Sequence, residues 1–371
     1  MTSVITSLFK MIKRGKLGRN KGLYTGFERL DKYTYGIQRG YFSTYGGDSR
    51  SGKSTLAIYT HIYRPLKDAQ ANVHVLYYSF EMSGEVIYAK LLSLYILETY
   101  QREISYKDIL SLVNVISDED YELIKLCQGF LTNISKRLTI IDKSVNADGL
   151  YATCMDWISR HGEFHKIEEH KEVFIPKDPE QYLIVVVDHI RLLRSGIEGI
   201  KIQIDKACDY LVYLRNKCNL TICVVQQLNR GFKNIDRRTK NDGQYALIQT
   251  DDFADSSAPV QSSEIVLAIF HPFREKLKTC EGYDIVELRD AIRILQILKS
   301  RFGEADKSIG VSFWGSCGFW KELPFAKDIK NYEPYKWLFG KPAATAEIVE
   351  SEIIEEKEDI DVDYKITNFT F

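Results

Sequence analysis

The sequence predicts an α/β fold in which helices flank a mostly parallel central sheet. Three observations predict it: a glycine-rich loop between a β-prone and a helical run, strongly apolar strand-like segments, and helical spacing between those segments. Strands that alternate with helices in this way form parallel sheets with both faces covered. The most apolar run, Tyr182–Val187, ends at Asp188 and predicts a central strand buried on both faces.

Length and composition bound the class of protein. With 371 residues, of which 44% are hydrophobic and 27% charged, the chain is typical of a globular protein of about two domains or one large domain with additions. No apolar run reaches the ~18 residues of a membrane helix, and the N-terminus lacks a secretory signal. Seven cysteines without a C-x-x-C pair indicate buried thiols in a reducing compartment. We therefore expect a cytoplasmic protein with no membrane partner.

Charge is unevenly distributed along the chain, although the net charge is only −1. Residues 1–22 hold six basic and no acidic residues, whereas residues 347–363 hold nine acidic residues and one lysine. Without that acidic segment the remainder is basic, which suits a nucleic-acid partner. The acidic segment itself is by default a solvated tail.

Local patterns predict the elements in order. Residues 3–14 predict an amphipathic helix, and a linker follows to residue 22. The helix could cover its own domain, a neighbouring subunit or a membrane surface. Further helices are predicted at 83–98, 106–114, 118–135, 146–161 and 201–216. Strands are predicted at 73–79, 138–142, 182–188, 220–227 and 263–270, with an antiparallel pair at 293–303 and 307–315 closing the sheet edge. Residues 162–181 are predicted to be a polar insertion or loop, and residues 229–256 a long basic loop.

The glycine-rich loop, GGDSRSGKST at residues 46–55, has the spacing of a phosphate-binding loop. Its backbone N–H groups and the N-terminus of the following helix both favour anions. Lys53 can reach the outer phosphates, and the Ser54 hydroxyl is placed for Mg²⁺. The alternative is a Gly/Ser-rich turn with a surface lysine. The candidate nucleotide ligands are Gly47, Asp48, Ser49, Arg50, Ser51, Gly52, Lys53, Ser54 and Thr55.

Nucleotide hydrolysis also needs a carboxylate for the Mg²⁺ shell and a group that activates water. Asp188, at the end of the most apolar strand, is the candidate Mg²⁺ carboxylate, and a helix cap is the alternative. Glu81 ends an earlier strand and is the candidate general base, unless it is merely solvated. Gln227 ends the next strand and could sense the γ-phosphate. Gln226 is the adjacent alternative, since only one of the two can point inwards.

Five segments of the chain form a recognisable set: TGFERLDKYTYGIQRGYFSTYGGDSRSGKSTLA, VLYYSFEMS, IVVVDHIRLL, CVVQQLNR and QILKSRFG. Together they resemble the motor domain of DnaB-type hexameric replicative helicases, whose motifs they match in order over roughly residues 24–320. His189 stands where the family usually has Tyr. The resemblance implies a RecA-like phosphate-loop NTPase with antiparallel C-terminal edge strands, spanning residues 23–325 as one ATPase domain.

The resemblance also implies roles and partners. It implies that ATP and Mg²⁺ are the cofactors, that Ser54 and Asp188 hold the metal, and that Glu81 is the base. Lys299 and Arg301 would act on the ATP of the next subunit, the alternative being a solvated basic hairpin end. The protein would then be a homo-oligomer, a hexamer, that moves 5′→3′ on single-stranded DNA. Primase, a loader or other replisome proteins would be further partners.

The loop after Gln227 is predicted to bind DNA. Basic side chains without a base-reading set imply sequence-independent backbone contacts, although a plain solvated loop is the alternative. Arg191 and Arg194 could line a second channel loop. The candidate DNA-binding residues are Arg230, Lys233, Arg237, Arg238 and Lys240.

Some features depart from the family. Only about 22 residues precede the motor, where cellular members carry a helical domain, so a phage or plasmid replication protein is expected. Residues 326–371 are predicted to be a C-terminal tail, which could dock a partner or mimic DNA. His161, His165 and His170, with Glu168 and Glu169, suggest a solvated helix rather than a metal site. Two other classes remain open: a RecA/RadA-like recombinase and a non-motor ATP switch.

Overall fold

The computed structural model describes residues 4–168, 171–229 and 248–336. Their strands include the predicted ones, with shifts of up to three residues at the ends. The strands are β1 Phe42–Gly47, β2 Val73–Ser79, β3 Leu138–Ile141, β4 Gly162–Glu168, β5 Lys171–Pro176, β6 Tyr182–Asp188, β7 Thr221–Gln227, β8 Ile265–Phe270, β9 Thr279–Cys280, β10 Tyr283–Asp284, β11 Ile292–Ser300, β12 Lys307–Trp314 and β13 Phe319–Glu322.

Nine strands form one sheet in the order β13, β12, β11, β8, β1, β7, β6, β2 and β3. From β8 to β3 all neighbouring strands are parallel. β11, β12 and β13 continue the sheet in antiparallel pairs. The predicted α/β fold with antiparallel C-terminal edge strands is confirmed. In this order the carboxyl ends of β1, β7, β6 and β2 are neighbours, which is where open α/β sheets bind ligands.

Helices cover both faces of the sheet. The helix that follows β1 is a single rod whose middle turn, Ile58–Tyr63, widens into a π-helix. The helices are α1 Val4–Lys16, α2 Glu28–Thr34, α3 Lys53–Ala57, α4 Arg64–Lys67, α5 Gly84–Tyr100, α6 Tyr106–Ile109, α7 Asp118–Leu126, α8 Gln128–Ser135, α9 Ala147–Ser159, α10 Ile200–Cys218, α11 Ala258–Ser262, α12 Ile285–Leu288 and α13 Glu333–Lys336.

Alternate side chains of the central strands enter two separate cores. Tyr77 and Val186 pack with α3–α4 and α5 on one face, while Tyr78 and Val187 pack with α9 and α10 on the other. β2 and β6 are therefore buried on both faces, as their apolar sequences predict. All seven cysteines lie in the described ranges, and each is buried and takes part in no disulfide, as the sequence predicts.

The prediction for residues 162–181 was wrong. β4 and β5 form an antiparallel hairpin there, and His165, predicted on a helix, lies on β4 opposite Val173. Phe164 and Phe174 pair at 5.2 Å between ring centroids and cover the core under α10. Only the face with Phe164 and Phe174 packs on the core, and the many charged residues among its apolar ones hide the strand pattern. Among the described residues no cluster of three or more metal-ligating side chains occurs.

Several boundaries also differ from the prediction, and the helix predicted at 118–135 is divided at Cys127 into α7 and α8. The helix predicted at 106–114 ends at Ile109, because Ser111 has a left-handed φ of 51° that a helix cannot continue through. At the C-terminus, the packed domain extends beyond residue 326, where the tail was predicted to begin. Ile329 and Tyr332 pack on the core beneath β8 and β11, and the Tyr332 hydroxyl accepts a hydrogen bond of 3.1 Å from the Asp284 amide.

The N-terminal helix α1 exposes its apolar stripe. Val4, Ile5, Leu8 and Phe9 are each more than half exposed. An ion pair of 2.6 Å between Arg14 and Glu180 ties the C-terminal end of α1 to the domain. None of the helices in the described ranges is long and apolar enough to cross a membrane.

Candidate nucleotide-binding and catalytic site

The phosphate loop connects β1 to α3 as the sequence predicts for such a motif. Arg50 and Gly52 have left-handed φ values of 61° and 99°, which turn successive amides towards one point. Gly52 is also required sterically, because a Cβ there would lie 2.8 Å from Cζ2 of Trp320. Lys53 then begins the helix and brings the unpaired N–H groups of the first turn to the same point. The loop can therefore hold an anion with backbone groups alone.

Two arginines brace this loop from outside. The buried Arg293 of β11 donates a hydrogen bond of 3.2 Å from Nε to the Ser51 carbonyl, and Arg274 donates to the Ser49 carbonyl. Burial lowers the pKa of Arg293 to about 10, so the guanidinium stays charged at neutral pH. Neither arginine stands out in the sequence, because each lies more than 200 residues from the loop along the chain. They hold the carbonyls of Ser49 and Ser51 in place and so fix the shape of the loop.

Asp188 sits at the centre of the site. Ser54 donates a hydrogen bond of 2.9 Å to its Oδ1, and the hydroxyl of Tyr77 donates one of 2.8 Å to its Oδ2. Burial raises the pKa of Asp188 to about 6, against the lowering effect of Tyr77, Ser54 and Lys53. Burial also lowers the pKa of Lys53, an effect that the nearby Asp188 and Glu81 carboxylates oppose.

Ser54 and Asp188 fit a Mg²⁺ ion. A hydroxyl and a carboxylate oxygen lie 2.9 Å apart beside the phosphate loop, and hard oxygen ligands are those that Mg²⁺ prefers. Tyr77 was missed in the sequence. It belongs to the same apolar run as its neighbours, and only the pairing of β2 with β6 brings its hydroxyl to Asp188.

Glu81 and Gln227 lie beside this pair. Ser79, the last residue of β2, pairs with Asp188, and the exposed Glu81 follows two residues later. Gln227 pairs with Gly47 at the start of the phosphate loop and is partly exposed. Gln226 is buried instead, and its Nε2 donates to the carbonyls of Ala254 and Ser256 at the end of the 229–256 segment, at 2.8 Å in the case of Ser256. Gln226 is therefore occupied, which leaves Gln227 as the one of the two that lies free beside the phosphate loop.

Lys299 and Arg301 lie at the opposite edge of the sheet, where the parallel strands begin. β11 runs antiparallel to β8, so Ser300 pairs with Ile265 at the start of β8, next to the start of β1. The six residues of β1 span five steps of about 3.3 Å, which separate this edge from the phosphate loop by roughly 17 Å. Neither cation can reach the phosphate loop of its own subunit.

The predicted DNA-binding residues between Arg230 and Lys240 lie outside the described residues. Arg191 and Arg194, the weaker candidates, are exposed just beyond β6. Arg191 forms an ion pair of 3.4 Å with Asp255, which lies near the end of the 229–256 segment. These arginines are thus on the same edge of the sheet as the phosphate loop.

The fold and this site define a phosphate-loop NTPase of the RecA-like class. The sequence profile of the DnaB-like helicase C-terminal domain matches residues 22–318, so the chain belongs to the DnaB-like helicase family. The structure is similar to the ATPase domain of G40P, with a TM-score of 0.67 and 17% identity over 87% of this chain and 100% of that one. It is also similar to a DnaB-like replicative helicase studied for its interactions with primase, with a TM-score of 0.65 and 17% identity over 87% of this chain and 68% of the other.

Proposed function

We propose that this protein is an ATP-dependent replicative DNA helicase that hydrolyses ATP between the subunits of a ring. The observation that carries the proposal is the placement of charge on the two edges of the sheet. Phosphate loop, Asp188 and Glu81 share one edge, while the exposed Arg301 points away from the other. Head-to-tail packing of identical subunits would bring these two edges together, and such contacts close into rings.

Each residue has a defined task in this proposal. Loop amides and Lys53 bind the phosphates, and Ser54 with Asp188 holds Mg²⁺, which when bound neutralises phosphate charge. Glu81 accepts the proton of the attacking water. Gln227 contacts the γ-phosphate and leads directly into the basic loop, so loss of that phosphate can move the loop that binds DNA.

The ring would depend on α1 as well as on the nucleotide. α1 resembles the family's linker helix, which packs on the neighbouring subunit. Packing of α1 on a neighbouring subunit would remove its exposed apolar stripe from water. We take single-stranded DNA in the ring, gripped by Arg230, Lys233, Arg237, Arg238 and Lys240, as the substrate track, with 5′→3′ movement. Primase and a loader are proposed partners, since a similar helicase was studied with primase.

A forked-duplex assay tests the function. With ATP and Mg²⁺, the protein should unwind a forked duplex that has a free 5′ tail. It should not unwind a duplex that has only a 3′ tail. The Lys53→Ala variant, which lacks the phosphate-binding ammonium, should unwind neither. Homologous strand pairing without unwinding would support the recombinase instead, and ATP hydrolysis with neither activity would support an ATP switch.

Removing the Tyr77 hydroxyl should weaken Mg²⁺ use. Hydrogen bonds to charged groups contribute ~1.5–3 kcal/mol, so Tyr77→Phe should raise the Mg²⁺ concentration for half-maximal ATP hydrolysis about tenfold or more. Tyr78→Phe is the matched control, because the Tyr78 hydroxyl donates to the Leu150 carbonyl, at 3.0 Å, on the other face of the sheet. Equal Mg²⁺ dependence in both variants would exclude a role for Tyr77 in orienting Asp188.

A further inference from the structure

A buried carboxylate lies directly behind Arg301. Glu264, the residue before β8, has a side chain that is 6% exposed and accepts a hydrogen bond of 3.1 Å from Nη1 of Arg301. The same carboxylate accepts 2.7 Å from the Phe42 amide and 2.8 Å from Nη1 of Arg215. The Arg301 side chain is 57% exposed, so it reaches from this buried anchor towards solvent.

The anchor is rigid because it is held from several sides. The Glu264 amide donates 2.8 Å to the Phe42 carbonyl, and the Arg301 amide donates 2.9 Å to the Glu264 carbonyl. Lys299 is fixed by the same segment, since its Nζ donates to the carbonyls of Val260 and Gln261 at 3.1 and 3.2 Å. Residues 260–264 therefore orient both cations of the K-x-R segment.

We propose that Glu264 is a positioning residue for Arg301, and that it sets the orientation in which Arg301 meets the nucleotide of the next subunit. This inference rests on the proposed function, in which Arg301 acts across the interface. A long arginine side chain at a strand end samples many rotamers, and a transition state is stabilised only by a group already in place. Arg215 and Phe42 keep the Glu264 carboxylate from following Arg301, so one nitrogen of the guanidinium is fixed and the rest faces outwards.

A structural role is the competing explanation. Glu264 also joins β1, α10 and β8, so its loss could disturb the phosphate loop of its own subunit through β1. The two roles differ in their dependence on Arg301. A residue that acts only through Arg301 should have no effect once Arg301 is gone, whereas a structural residue should act in either background.

A double-mutant cycle separates them in the full-length, DNA-bound oligomer. Glu264→Gln should lower kcat for ATP hydrolysis about tenfold, with KM within twofold, because misplacing a catalytic group costs turnover more than binding. Arg301→Ala should lower kcat by about 10³. The double variant should then match Arg301→Ala within twofold. Glu264→Asp, which keeps the charge but shortens the side chain, should give an intermediate loss and serves if Glu264→Gln does not fold.

Glu322→Gln is the matched control, since Glu322 forms a largely buried ion pair with Arg29 away from this edge. It should leave kcat within twofold in either background. A kcat of the double variant tenfold below that of Arg301→Ala would overturn the inference, and so would an unchanged kcat in Glu264→Gln. Either result would leave the proposed shared site standing. If Arg301→Ala itself hydrolyses ATP at the normal rate, the trans role of Arg301 is wrong and the inference falls with it.

Discussion

Replacing Glu81 with Gln should abolish most ATP hydrolysis while leaving ATP binding intact. A positioned general base contributes ~10²–10⁴ to the rate, and the amide of Gln cannot accept the proton of the attacking water. Because Glu81 is exposed and lies beyond the end of β2, its replacement should not disturb the fold. The expected result is therefore a loss in kcat of about 10² or more, at unchanged melting temperature and nucleotide affinity.

The control for this prediction is Glu85→Gln, the same chemical change four residues away at the exposed start of α5. Steady-state phosphate release and binding of a fluorescent ATP analogue should be measured on both variants. DNA unwinding should fail in Glu81→Gln alone. A Glu81→Gln variant that keeps more than a tenth of the wild-type rate would mean that Glu81 is a solvated strand-end residue.

Two inactive variants should restore each other when mixed. Lys53→Ala removes the phosphate-binding lysine, and Arg301→Ala removes the cation on the opposite edge, so each homogeneous ring should be nearly inactive. In a mixed ring, an Arg301→Ala subunit has an intact phosphate loop and can receive Arg301 from a Lys53→Ala neighbour. Random assembly of equal amounts makes about a quarter of the interfaces complete, because each interface takes one face from each of two subunits.

Phosphate release from subunits mixed before assembly measures this effect, beside wild type mixed with Lys53→Ala as the reference. The mixture should reach a clear fraction of the reference rate, far above either variant alone. A cis role for Arg301 would give no recovery, because every subunit in the mixture would carry one defect. The roughly 17 Å between the two edges of the sheet is the physical reason to expect recovery.

Much of the site was predictable because its residues are local in sequence. The phosphate loop joins a strand to a helix within ten residues, and Glu81, Asp188 and Gln227 each end an apolar strand. The carboxyl ends of neighbouring parallel strands meet at one edge, so finding the strands was almost enough to place these three side chains together. Whether Gln226 or Gln227 faces the nucleotide was not predictable, because both fit the strand pattern.

Other features depended on pairing between distant segments. The hairpin β4–β5 is not evident from the sequence, because a few apolar residues among many charges give a weak strand signal. The packing of Ile329 and Tyr332 on the core is likewise not evident from the sequence, since so short a segment shows no periodicity of its own. Arg293, from a strand more than 200 residues beyond the phosphate loop, braces that loop through a single hydrogen bond.

The sequence by itself determined the parallel sheet, the phosphate loop and the carboxylates that follow the strands, because these depend on apolar runs and short spacings. Only the tertiary structure decided that Tyr77 orients Asp188, that Gln226 is occupied, and that Glu264 holds Arg301. The reason is that each of these contacts joins side chains from strands or segments distant along the chain. Such contacts follow from strand order and register, which local sequence patterns do not specify.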